Sequence, residues 1–174
     1  MYPMIDSTEF PSAWSWVYNL DDRTPRGSHE ALLSMLQAIP DEPLLLYFEA
    51  ADPDYPKDDK GWCPDCKLNS KALHDFVTTE DFQNRPVRFW RVIASWERGD
   101  WKDPSGVPNM ENDFRDPAKP WRLAGLPCAQ LVVYSAGQGP RIVDGVLNPD
   151  AQGLDYLRKR GASGVPLPTE RILC

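Results

Sequence analysis

Histidine is nearly absent from this chain of 174 residues, which holds two, His29 and His74. Cysteine is scarce as well, with four. That leaves little material for a metal cage, because a structural zinc site takes four such ligands and a catalytic one three plus water. Four cysteines are also too few to scaffold a secreted domain of this length. Positive charge is in deficit: 19 Lys and Arg against 26 Asp and Glu leave a net charge of −7. Nucleic-acid binding rests on neutralising phosphates with Lys and Arg, so this balance argues against it. It argues equally against docking on anionic lipid. No apolar run approaches the ~20 residues that span a bilayer. The start, "MYPMIDSTEF", lacks the basic residues and apolar core of a signal peptide. The expectation is a cytoplasmic protein with no membrane and no nucleic-acid partner.

What the chain has in excess is proline, 18 residues, against a usual share of roughly 5%. Long ordered loops around a smaller core are expected. Hydrophobic content of 41% and charged content of 26% allow that core. Residues 1–174 read as one domain, with a core over about 28–160 and extensions at 1–27 and 161–174. "AWSWVYN" offers a short strand. "SHEALLSMLQAIP" predicts a helix capped by Ser28, with Ala31, Leu32, Met35, Leu36 and Ile39 as its apolar stripe. "PLLLYFEA" predicts a strand apolar on both faces, as in a sheet covered on both sides. "CPDCKLNSKALHDFVTT" predicts a helix with Cys66, Leu73 and Val77 close together on one side and Phe76 adjoining. "RPVRFWRVIAS" predicts a strand, followed by a polar, Pro-rich connection over 96–125. "LPCAQLVVYS" and "RIVDGVL" predict a hairpin around "AGQGP". "DAQGLDYLRKRG" predicts a last helix that stops at Gly161. This order points to an α/β fold with a central mixed β-sheet flanked by helices.

The stretch "GWCPDCK" carries the chemistry. Two thiols at this spacing suit a redox dithiol, half of a metal site, or an inert loop. The metal reading is short of ligands. His74 lies eight residues beyond Cys66 on the same predicted helix, roughly 12 Å away at ~1.5 Å per residue. Cys128 is a conceivable third thiolate, but no fourth ligand is visible, so no metal is expected. The redox reading has a physical basis. Cys63 falls at a helix start, where free N–H groups and the helix dipole favour a thiolate, the attacking form. That effect reaches ~2 kcal/mol, or about one pKa unit. Cys66, one turn on, can reach the Cys63 sulfur and should be more buried. Cys63 is therefore the candidate nucleophile and Cys66 the resolving thiol. Asp65 would oppose a thiolate, but its place about 200° round the helix should turn it largely away. The preceding loop, "ADPDYPKDDKG", carries four Asp and two Lys, two net negative charges. These would repel acidic protein targets.

With these residues in view, the chain resembles the thioredoxin superfamily, and within it the small thioredoxin-related proteins of the thioredoxin domain-containing protein 17 type. "LLLYFEA…GWCPDCK", "DWKDP…NDFR" and "AGLPCAQLVVY" carry the resemblance, over roughly residues 28–160. It implies a thioredoxin fold and disulfide reduction by Cys63 and Cys66, with Trp62, Pro64 and Asp65 completing the motif. It further implies a cis-proline at Pro127, with Leu126 and Pro127 holding the substrate backbone. No cofactor is bound; the implied recharging partner is thioredoxin reductase, with NADPH used indirectly. The implied substrates are cystine-like small disulfides and selected protein disulfides. The chain departs from many thioredoxins in carrying Tyr47 where they have a buried Asp, which leaves Asp65 as the nearest acidic group. Cys128 is expected to serve packing and to point away from Leu126, and Cys174 to be an exposed bystander. The alternative function is a thioredoxin-fold protein-binding module that works independently of redox state.

Overall fold

The computed structural model describes residues 14–17, 25–50, 62–77, 88–95 and 97–162. Its elements run β1 (Trp14–Val17), α1 (Pro25–Gln37), β2 (Leu44–Ala50), α2 (Pro64–Val77), β3 (Arg88–Ser95), the single-turn α3 (Arg98–Trp101), β4 (Cys128–Ser135), β5 (Gly139–Leu147) and α4 (Ala151–Ala162). The five strands form one mixed sheet in the order β1-β3-β2-β4-β5. β1 and β2 run parallel to β3, whereas β4 runs antiparallel to both β2 and β5. The parallel half is linked through helices and the antiparallel half by a tight turn, as crossover geometry requires. At that turn the Gln138 N–H donates to the Ser135 carbonyl at 3.0 Å. Gly137 and Gly139 both take φ of +81°, a conformation open to glycine.

β2 sits mid-sheet and every one of its residues is buried. Alternation along it divides the core in two. Leu44, Leu46, Phe48 and Ala50 join a first cluster with Leu32 and Leu36 of α1 and Trp101, Phe114 and Trp121 of the 97–127 connection. Leu45 and Tyr47 join a second with Leu73 and Phe76 of α2 and Leu154 and Leu157 of α4. One face of the sheet is thus covered by helices α2 and α4. The other is covered by α1 and a loop that carries its aromatics inward.

Several expectations need adjusting. α1 begins at Pro25, so Ser28 lies inside the helix and does not cap it; Pro suits a first turn, where its missing N–H is no loss. α4 runs one residue past Gly161. Cys66 does not share a core with Leu73 and Phe76, because it packs in the first cluster and they in the second. The seven helical steps from Cys66 to Leu73 span about 10 Å, enough to carry α2 from the end of the sheet onto its face. The acidic loop over 51–61 and Cys174 lie outside the described residues. No helix among those described is long and apolar enough to cross a membrane.

Candidate functional site

Cys63 ends the approach to α2 and acts as its cap. Its carbonyl accepts the first helical bond, from the Lys67 N–H at 3.2 Å, and its Sγ lies 3.2 Å from the Cys66 nitrogen, in the position of a side-chain N-cap acceptor. A sulfur there faces the free N–H groups of the helix start, which stabilise negative charge on it. Cys63 and Cys66 are joined as a disulfide, with Cα atoms 5.3 Å apart. Both are buried, Cys63 at 3% exposure and Cys66 at none. The small difference matters because Cys63 borders a cavity of about 340 Å³ and Cys66 does not. The sequence-based expectation that Cys66 is the more buried thiol holds.

Trp62 is fixed from the neighbouring strand. The pairing of β2 with β3 slips at their ends, where Glu49 faces Ile93 but Ala50 faces Ser95. Such a bulge re-aims the side chains around it. The Trp62 indole N–H donates to Ser95 Oγ at 3.2 Å, and Ser95 Oγ donates in turn to the Glu97 carbonyl at 2.7 Å. Pro64 and Asp65 open α2 and are both exposed. Asp65 borders the same cavity as Cys63, so it stays nearer the dithiol side than its helical position alone suggests. Leu126, just ahead of β4, lines the cavity, whereas Pro127, also expected there, does not. The Leu126–Pro127 peptide is cis, and the Leu126 carbonyl lies 3.9 Å from Cys63 Sγ. The disulfide has no proton to donate there; the reduced thiol has. Trp62, Cys63, Pro64, Asp65 and Leu126 thus come together around one opening. Leu126 and Cys128 pack in the same cluster, contrary to the expected opposite facing. Residues two apart in extended chain return to one side. Cys128 is fully buried.

The remaining wall comes from the 97–125 connection, whose "DWKDP" and "NDFR" pieces carry the resemblance but were given no place in the site. Asn112 staples it to β3, its Nδ2 donating to the Ala94 and Asp100 carbonyls at 2.9 Å each and its Oδ1 accepting from the Phe114 N–H at 2.9 Å. The stretch after α3 turns back on itself, with the Asp103 N–H donating to the Val107 carbonyl at 2.9 Å and Gly106 at φ +85°. This brings Lys102 and Arg115 to the cavity. Lys102 Nζ lies 5.5 Å from the Trp62 ring centroid, and the Arg115 guanidinium lies 4.3 Å over Trp101. Arg115 also donates to the Trp101 carbonyl at 2.9 Å and the Ala124 carbonyl at 3.1 Å. Burial pushes its guanidinium below the ordinary value. Gly125, Leu147 and Asn148 complete the lining. A Cβ on Gly125 would come 2.9 Å from Leu147 Cδ1, so glycine lets the two segments approach.

Tyr47 of β2 is buried and stacked on Phe89 at 6.4 Å. Two positions on, Glu49 is a fully buried acidic residue that the sequence reading did not single out. Its one signal was a charged residue inside an apolar strand. His29 is no ligand candidate, since its Nδ1 accepts the Trp121 indole N–H at 2.8 Å. Among the described residues no group of three or more His, Cys, Asp or Glu is placed to hold a metal ion. The arrangement suits a thiol at a helix start facing a small, partly cationic opening, with its partner sulfur sealed behind it. No protein-family model matches this chain, and no curated protein shows significant similarity to it.

Proposed function

We propose that this chain is a thioredoxin-fold thiol–disulfide oxidoreductase of the cytoplasm, with Cys63 as nucleophile and Cys66 as resolving thiol. The observation that carries this reading is the asymmetry of the pair: Cys63 caps α2 and borders the cavity, while Cys66 lies behind it. The strand order and the Leu126–Pro127 cis peptide beside the dithiol agree with it. In the reduced protein the Cys63 thiolate attacks one sulfur of a substrate disulfide. A Cys63–substrate disulfide forms, and the first substrate thiolate leaves and takes a proton from solvent. The Cys66 thiolate then attacks Cys63 Sγ, closing the Cys63–Cys66 disulfide and expelling the second thiolate. Two protein thiols are oxidised and one substrate disulfide is reduced. Trp62 and Leu126 flank the entering sulfur. By the resemblance, thioredoxin reductase and NADPH return the pair to the dithiol, and the substrates are small or selected protein disulfides.

The test is turnover of hydroxyethyl disulfide with NADPH and thioredoxin reductase, run beside a stoichiometric reaction of freshly reduced protein. Oxidation of the dithiol in both supports the reading, and inertness of the reduced protein sinks it. A second reading is a binding module independent of redox state. Leu68, Val107 and Met110, exposed at 76%, 58% and 56%, are the apolar side chains such a module would offer a partner. Retention of a partner by the Cys63→Ser/Cys66→Ser double variant would select that reading.

A further inference from the structure

The chain carries net charge −7, yet the cavity at the dithiol is walled by two cations, Lys102 and Arg115, against one carboxylate, Asp65. Among the described residues no carboxylate pairs with either cation; Arg158, Lys159 and Arg160 of α4 are the cations that do meet carboxylates. Lys102 is half-buried, with its ammonium over the Trp62 ring. Arg115 is fixed by two backbone carbonyls, which use its donors without neutralising its charge. No acidic neighbour offsets the effect of burial on it. Among the described residues Asp65 is the one carboxylate in the wall, so the two cations leave the opening net positive, and a partly enclosed positive charge is stabilised when something anionic enters.

We propose that the disulfide taken by this dithiol is a small, net-anionic one, and that Lys102 and Arg115 bind its carboxylate while Cys63 attacks its sulfur. This deepens the oxidoreductase reading and rests on it. The cavity of about 340 Å³ lies at the small end of ligand sites, which suits a disulfide with short arms. Cys63 and both cations border the same opening, so one arm can lie in the cavity with its carboxylate at the cations. Arg115 is the pre-oriented member and Lys102 the adaptable one. Selection is by net charge, which a cystine-like zwitterion does not carry.

The experiment measures the second-order rate of oxidation of the freshly reduced full chain by three small disulfides. Dithiodipropionate carries two carboxylates, hydroxyethyl disulfide is neutral, and cystamine carries two ammonium groups. Each rate is divided by that of free dithiothreitol with the same disulfide, which removes differences in intrinsic reactivity. The expected order is anionic, then neutral, then cationic, with the anionic advantage shrinking as salt is added. Lys102→Gln should lower the anionic-to-neutral ratio about tenfold, equal to ~1.4 kcal/mol. Lys102→Arg should restore it, and Lys102→Glu should turn the preference toward cystamine. Equal normalised rates for the three disulfides would overturn the selectivity and leave the reductase reading standing. So would a Lys102→Gln variant slowed equally on all three. Inertness toward every disulfide, the neutral one included, would overturn both.

Discussion

On α4, Arg158 meets the Asp155 carboxylate at 2.7 Å and Lys159 meets it at 2.8 Å, and Arg160 pairs with buried Asp144. At the dithiol cavity, Lys102 and Arg115 lie over indole rings instead, and no carboxylate neutralises them among the described residues. The α4 cations are finished interactions. Asp144 accepts the Tyr156 hydroxyl at 2.9 Å and its neighbour's N–H, from Gly145, at 2.8 Å, so its lone pairs are in use. The cavity cations are open ones, positioned by aromatic faces and carbonyls that leave their charge unspent. The difference separates groups that hold the sheet's second face in place from groups available to a ligand.

The largest effect should come from the cavity side. Cys63→Ser is expected to drop disulfide turnover to the uncatalysed background, measured in the reductase-coupled assay. Cys66→Ser should instead accumulate a mixed disulfide on Cys63, visible as an added substrate mass. If Cys66→Ser abolished the first attack as well, the assigned order of the two thiols would be wrong. Next in size is the far side. Asp144→Ala leaves Arg160 and the Tyr156 hydroxyl without their acceptor beside the core, at a cost of about 3 kcal/mol. Urea unfolding should show that loss, while turnover of the folded protein stays near its starting value. A comparable fall in turnover would break the division between the two regions.

A smaller effect should separate positioning from stability within the cavity side. Ser95→Ala removes the acceptor of the Trp62 indole N–H. One neutral hydrogen bond is worth about 1 kcal/mol, so unfolding should shift modestly. Turnover should fall severalfold, mostly through KM, because Trp62 no longer holds one orientation beside the entering disulfide. A change in unfolding with none in KM would make Trp62 a packing residue only.

Much of this division was legible in the sequence, and what escaped has a common cause. The element order, the doubly buried β2 and the greater burial of Cys66 follow from local pattern, because period, caps and spacing act over a few residues. Lys102 and Arg115 do not follow from it. They lie far along the chain from Cys63 and reach it only because Asn112 and the turn at Gly106 fold the connection back. Ser95 escaped for a similar reason, since a bulge in strand pairing aims it. Leu126 and Cys128 were misplaced by a slip in parity, since two steps along a strand return to the same face. The Ser28 cap was a competing local signal that Pro25 outranked.

The smallest expected effect concerns pH, and it bears on the cavity side alone. His29 lies in the first core, under the connection that carries Lys102 and Arg115, and its Nδ1 accepts the Trp121 indole N–H. Its neutral form therefore carries its proton on Nε2. Burial, partly opposed by Asp113, lowers its pKa from the usual 6.5. The unfolded chain thus takes up this proton more readily than the folded one, and stability rises with pH through that range. The contribution is complete above about pH 6.5 and is lost as pH falls below it toward the lower folded value. Protonation at Nδ1 also takes away the acceptor of Trp121, so the loss should centre on the loop side. The urea midpoint should decline from about pH 7.5 to about pH 5.5, and His29→Gln should flatten that part of the slope. Asp144→Ala breaks the α4 network without touching His29, so it should leave the slope unchanged. A His29→Gln protein with the full slope would place the titrating group elsewhere. It would also remove the distinction between a pH-sensitive cavity side and an insensitive far side.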